Sequence, residues 1–159
     1  MAISDWHPTM ITKLGAITGL AASGAQPHRV RGYTDLPGSL VEGLTGVLLP
    51  LRATHVYSAG GPAVWVHELQ FTIYAPGLVL PEAYAVLVPF IKLVRDKMAA
   101  NLKLGGLSWS GGRVEHWLPQ TDAPFYEGPG AVGYGGAEYQ GIIFRMELKE
   151  IETGVTVTA

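Results

Sequence analysis

The residues best suited to acid–base work or metal binding are His7, His28, His55, His67 and His116. None forms an HxxxH or HxH pair. His67-Glu68 and Glu115-His116 are adjacent, and adjacent residues on a strand point to opposite faces. A metal site would need ligands converging from distant segments, so surface or internally satisfied histidines are the simpler reading. The glycines of Gly128 to Gly141 include Gly133-Tyr134-Gly135-Gly136, but no lysine followed by Ser or Thr. They also precede a strand pattern, whereas phosphate loops run from strand into helix. Ser110, in Trp109-Ser110-Gly111-Gly112, lacks the preceding glycine of a nucleophile elbow. Glu147 and Glu150 flank a strand end around Lys149 and read as a solvated face. There is no cysteine, which removes thiolate catalysis and disulfides. The expectation is a protein that is not an enzyme and holds no cofactor or metal.

The aromatic residues Trp109, Trp117, Phe125, Tyr126 and Tyr134 have two readings. They pack on a sheet, or they anchor a protein interface, where Trp and Tyr dominate binding energy. Stacking on single-stranded nucleic acid is a third use, but few basic residues lie near them. Charged residues are 15% and the net charge is −2, so no general basic field draws the chain to nucleic acid. A low charge density suits surfaces buried against partners.

These residues need elements to position them. Ser4 and Asp5 read as helix caps, followed by Trp6, Met10, Leu14 and Ile17 at helical spacing. That predicts a helix within residues 1–24, with Pro8 in its first turn. Pro27 to Gly32 reads as a connector, and Tyr33 to Ser39 as a turn. Leu40 to Leu51 reads as a buried strand ending at Pro50. Arg52 to Tyr57 and Val64 to Tyr74 read as a hairpin. On its second strand Trp65, His67, Leu69, Phe71 and Ile73 share one face; Val66, Glu68, Gln70, Thr72 and Tyr74 share the other.

Pro81 opens a longer helix with Leu87, Ile91, Val94, Met98 and Leu102 along one side. Pro89 either kinks it or marks its true first turn, and Gly105-Gly106 stops it. Leu107 to Leu118 reads as a strand with a turn or bulge at Gly111-Gly112. Residues 119–138 read as a Gly/Pro-rich loop or arm. Tyr139 to Ile151 alternates again, with Ile142, Phe144, Met146 and Leu148 opposite Ile143, Arg145, Glu147 and Lys149. Residues 152–159 read as a loose tail or an added strand. The whole predicts one α+β domain over 1–159: a mostly antiparallel sheet against one long helix, with a short N-terminal helix and a long hairpin or loop arm. No secretory signal or membrane span is expected.

In this order the chain resembles the tail-terminator, or tail-completion, proteins of long-tailed bacteriophages. The short helix on Trp6 carries part of the resemblance. So does Tyr33-Thr34-Asp35-Leu36-Pro37-Gly38-Ser39-Leu40 running into Gly46-Val47-Leu48-Leu49-Pro50. The Trp65 to Tyr74 strand leads through a Pro-Gly break into the long helix ending at Asn101-Leu102, and Leu104-Gly105-Gly106 follows. The last strand carries Tyr139-Gln140-Gly141-Ile142-Ile143-Phe144-Arg145-Met146-Glu147-Leu148.

The resemblance implies a virion protein assembled in the host cytoplasm. It implies a homo-hexameric ring that caps the tail tube, stops its polymerisation and offers a surface to the head's connector or head-closure proteins. DNA would pass through the lumen without sequence-specific binding. Glu68, Gln70, Thr72, Arg145, Glu147 and Lys149 are the expected lumen-facing residues. A mixed lining avoids trapping DNA, because strong phosphate binding needs clustered cations. A head-closure neck protein is the nearest alternative. A small-ligand-binding β domain and a hydrolase whose site assembles in space are the readings from other classes.

Overall fold

A computed structural model describes residues 3–23, 26–40, 43–56 and 60–156. The chain is α+β, with a mostly antiparallel sheet, a short N-terminal helix and a longer bent helix. The elements run α1 (Ile3–Gly15), β1 (Ala21–Ser23), β2 (Gln26–His28), β3 (Val30–Gly32), β4 (Thr45–Val56) and β5 (Pro62–Tyr74). Then come α2 (Leu80–Leu87), α3 (Pro89–Ala100), β6 (Ser108–Trp109), β7 (Gly112–Pro119), β8 (Tyr126–Tyr134) and β9 (Ala137–Thr156). The main sheet has the order β3-β4-β5-β9-β7-β6, and β8 pairs with β9 beside β7. Among the described strands of this sheet only β3 and β4 pair in parallel. β1 and β2 form a separate small hairpin.

Long alternating strands make the centre of the sheet. Phe71 opposes Phe144 and Leu48, and Leu69 opposes Met146 and Pro50. Leu69, Phe71, Ile73, Ile142, Phe144, Met146 and Leu148 are all fully buried on this face. The helices cover it with Trp6, Met10 and Leu14 from α1 and with Ala83, Leu87, Phe90, Val94 and Met98 from α2 and α3. Burial at about 25 cal/mol per Å² of apolar surface makes this layer the main source of stability.

The structure redraws several boundaries. α1 begins at Ile3, so Ser4 and Asp5 lie in its first turn rather than capping it. Pro8 sits deeper, inside the helix. It lacks the N–H that would pair with the Ser4 carbonyl, and both residues are exposed, where a missing helix bond costs least. The helix stops at Gly15, while Ile17 and Leu20 stay buried beyond it. The expected connector contains β2 and β3. β4 does not end at Pro50 but continues to Val56. β3 pairs only with Gly46, Val47 and Leu48. Pro50 therefore lies on the stretch past that pairing, next to a register shift, where a missing N–H costs least.

Pro89 does start a helix, α3, so one bent rod is written as two elements. Leu102 leaves the apolar stripe because α3 ends at Ala100; it is 42% exposed. The turn after it uses positive φ at Leu104, Gly105 and Gly106. Gly111, at φ 100°, makes the tight turn between β6 and β7.

Residues 119–138 take the hairpin form of the expected hairpin or loop arm rather than being a loop throughout. They contain the end of β7 and all of β8, which forms a hairpin with β9 through Gly135 and Gly136, both at positive φ. The loop between β7 and β8 is residues 120–125. Strand identity was hidden because β8 carries three glycines and a proline, residues poor in β-propensity. Pairing with the regular β9 supplies what propensity lacks. The expected tail is strand as far as Thr156; residues 157–159 lie outside the described residues, as does the hairpin tip at 57–59.

Candidate functional site: the polar face of the sheet

The side of β5 and β9 that faces away from the helices gathers the polar residues. Alternation puts them there, and register aligns them. Glu68 opposes Glu147, Gln70 opposes Arg145, Val66 opposes Lys149, and Thr72 opposes Ile143. Five of the six residues expected to share a lumen face thus lie together on one patch: Glu68, Gln70, Arg145, Glu147 and Lys149. Thr72 is on the same face but only 2% exposed. It lies under a local apolar cluster in which Leu40, Val47 and Tyr74 meet Leu49, Val132, Tyr134 and Tyr139. Tyr74 donates to the Gly133 carbonyl at 3.2 Å, and burial pushes its phenol pKa up against the opposing hydrogen bond from Thr72. Glu147 is 8% exposed, not the solvated residue expected.

The patch is knit by ion pairs. Arg52 on β4 donates to Glu68 through both Nε and Nη2, the latter at 3.0 Å. Gln120 Nε2 donates to Glu68 Oε1 at 2.7 Å and to Asp122 Oδ1 at 3.0 Å, tying the 120–125 loop to the sheet. Arg145 Nη2 donates to Glu127 on β8 at 3.2 Å. A groove of about 450 Å³ runs between Leu51, Arg52, Glu68, Gln120, Asp122, Pro124, Glu127 and Arg145. Arg52 pairs with Glu68 and Arg145 with Glu127 along it, while Asp122 accepts from the neutral Gln120 amide. The small-ligand reading asks for a mostly apolar pocket of several hundred Å³. The groove has the volume but a charged, open wall.

The expected interface aromatics separate. Trp117 is fully buried and donates its indole N–H to Met146 Sδ at 3.1 Å. Phe125 packs 5.4 Å from the Phe144 ring. Trp109 is half-buried against the core and lies over Gly112, where an added Cβ would come within 2.6 Å of the indole nitrogen. Tyr134 spends its hydroxyl on the Pro37 carbonyl and its ring on Tyr74. Tyr126 alone stands out, 43% exposed.

A polar cluster on the helix side escaped the sequence reading. Trp6 Nε1 and His67 Nε2 both donate to Glu150 Oε1, at 3.1 and 3.0 Å. His67 and Glu150 are each 1% exposed, so Glu150 is no solvated strand end. The Trp6 ring lies 4.7 Å from His67, and Trp65 donates to Glu152 while stacking on His55 at 4.2 Å. His7 donates from Nε2 to the Leu48 carbonyl at 3.0 Å, and burial pushes its pKa down. The signal was parity. Glu150 has the phase of Ile142 to Leu148, and His67 that of Leu69 and Phe71. A general base must reach its substrate within hydrogen-bond distance. His67 and Glu150 are almost wholly covered, and His67 only borders a small pocket of about 190 Å³ beside Ile3, Pro50 and Arg52. Among the described residues no group of three or more His, Asp or Glu side chains converges to hold a metal ion, and no helix is long and apolar enough to cross a membrane.

Compared with models of known protein families and with characterised proteins, the chain matches none.

Proposed function

We propose that this chain is a structural virion protein of the tail-terminator class, working as a homo-hexameric ring at the end of a phage tail tube. The observation that carries the reading is the division of one sheet into two faces. One face is covered by helices. The other presents Glu68, Gln70, Arg145 and Lys149 in cross-strand register, with Glu147 among them but covered. Placed around a lumen, that mixed lining lets DNA pass, because no run of cations condenses on phosphate. Thr72 drops out of the lining. Tyr126 is the aromatic retained as a contact for a second copy, the tube protein or a head-closure protein. The element order from α1 through β9 supports the same reading. In this role the chain performs no catalysis and holds no cofactor.

The test is the mass of the protein in solution, alone and with tail-tube protein. A ring-sized species that arrests tube growth is expected. A chain that stays monomeric and never engages tube protein overturns the reading. Arrest of tube growth separates a terminator from a head-closure protein, which would bind the head connector instead.

A further inference from the structure

Beside the charged groove the polar face holds a smaller one, of about 230 Å³. Val56 and Val66 give it an apolar wall, and Glu68, Asp122 and Glu147 give it three carboxylates. Arg52 and Gln120 engage Glu68. Asp122 accepts from the neutral Gln120 amide. Glu147 is different. Its side chain is 10% exposed, yet among the described residues it accepts no hydrogen bond. The His116 ring nitrogen Nε2 stops 3.8 Å from its Oε2, beyond hydrogen-bond length. A covered carboxylate without donors is costly. Glu68 stands directly opposite it on β5, and like charges opposed across strands are unfavourable. Lys149 shares the face but opposes Val66 and His116 and does not line the groove.

We infer that this groove binds the primary ammonium group of a small alkylamine. Such a group brings a positive charge and three N–H donors with no acceptor, which is what the lining lacks. It can donate to Glu147 and Asp122 at once in charge-assisted bonds, while its alkyl stem lies on Val56 and Val66. A bare metal ion does not fit, since among the described residues no three acidic or imidazole side chains converge to hold one. The volume lies below the roughly 300–1,000 Å³ that houses drug-sized ligands, so the amine is small. The site is built within one chain and does not depend on ring assembly.

The test is an NMR titration of the folded chain with butylammonium chloride, following the Val56 and Val66 methyl groups and the Gln120, Asp122 and Glu147 amides. Saturable shifts are expected, with a dissociation constant on the order of 1 mM, as suits so small a ligand. Tetramethylammonium chloride, charged but without an N–H, is expected to bind about tenfold more weakly. Glu147→Gln keeps the shape and removes the covered charge. It is expected to weaken butylammonium about tenfold while melting no lower than wild type. Asp122→Asn, on the exposed loop, is expected to weaken it about threefold. Shifts that do not saturate, equal binding of tetramethylammonium, or a folded Glu147→Gln with wild-type affinity overturns the site. If Glu147→Gln does not fold, unchanged affinity in Asp122→Asn overturns it. A lysine of a second copy carries the same group. Self-association in analytical ultracentrifugation that butylammonium disperses would put that lysine in the groove and overturn the free amine.

Discussion

At the scale of single residues, the buried polar groups decide most. Glu150 accepts from Trp6 and His67 inside the core, so it fixes α1 against β5 and β9 at one point. Glu150→Ala leaves two buried donors without an acceptor and is expected to cost about 3–5 kcal/mol. Chemical denaturation with tryptophan fluorescence reads it directly. Glu150→Gln keeps the acceptor and should lose less. His7 carries a pH prediction. Burial lowers its pKa, so the unfolded chain binds the proton better. Stability supplied by neutral His7 is present above the unfolded value of about 6.5 and is lost as pH falls toward the folded one. His7→Gln keeps a donor for the Leu48 carbonyl and should flatten that loss in thermal melts between about pH 7 and pH 5. Glu147, read from sequence as part of a solvated face, now predicts a folding lesion. Glu147→Lys puts a cation beside Lys149 in a covered position and should destabilise by more than about 2 kcal/mol.

At the scale of elements, β8 changes the expected effect of the most obvious deletion. A dispensable arm would leave the fold intact when Gly128 to Gly136 is removed. As a strand paired with β9, the segment covers Tyr74 and Tyr139 with Val132 and Tyr134. Its removal should therefore lower the melting temperature, and a variant that melts like the wild type would return β8 to the status of an arm. The β4–β5 pairing is equally sensitive. Gly46 lies under Phe71, where an added Cβ would meet the ring at 2.7 and 2.9 Å. Gly46→Val should cost about 1–3 kcal/mol through overpacking, measured by urea unfolding. The aromatic set divides along the same lines. Trp117→Ala empties a core site and should cost about 3–5 kcal/mol. Tyr126→Asp should leave melting unchanged and reduce assembly, measured by the mass of the assembled species.

At the scale of the whole molecule, one sheet separates two environments. The helix side is a continuous apolar layer from Trp6 to Met98 with a covered polar centre. The other side is polar near the 120–125 loop and apolar again near Tyr74. Net charge is −2, yet α3 and the turn after it carry Lys92, Arg95, Lys97 and Lys103 against Asp96 alone. Lys92 and Arg95 both engage Asp96, whose carboxyl is held below the usual range, chiefly by the Lys92 hydrogen bond. A ring built from such a chain should be salt-sensitive if its helices meet acidic surfaces of neighbours. The mass of the assembled species measured from low to high salt tests that expectation.

Much of this architecture was legible in the sequence. Period-two patterning in Trp65 to Tyr74 and in Tyr139 to Ile151 determined both strands, their two faces and most of the core. Spacing from Trp6 to Leu14 determined the first helix, and the Pro-Gly breaks determined where the sheet gives way to α2 and α3. Those signals are local, because a side chain's face follows from backbone period alone. What only the tertiary structure decided is long-range. Glycine-rich β8 became a strand because β9 was there to pair with it. Glu150 and His67 became buried because Trp6, 144 residues away from Glu150, supplied a donor that makes a core carboxylate tolerable. His116 and Glu147 came within 3.8 Å through a bulge in register. Pairing, register and the desolvation of a charge depend on partners that no local pattern names.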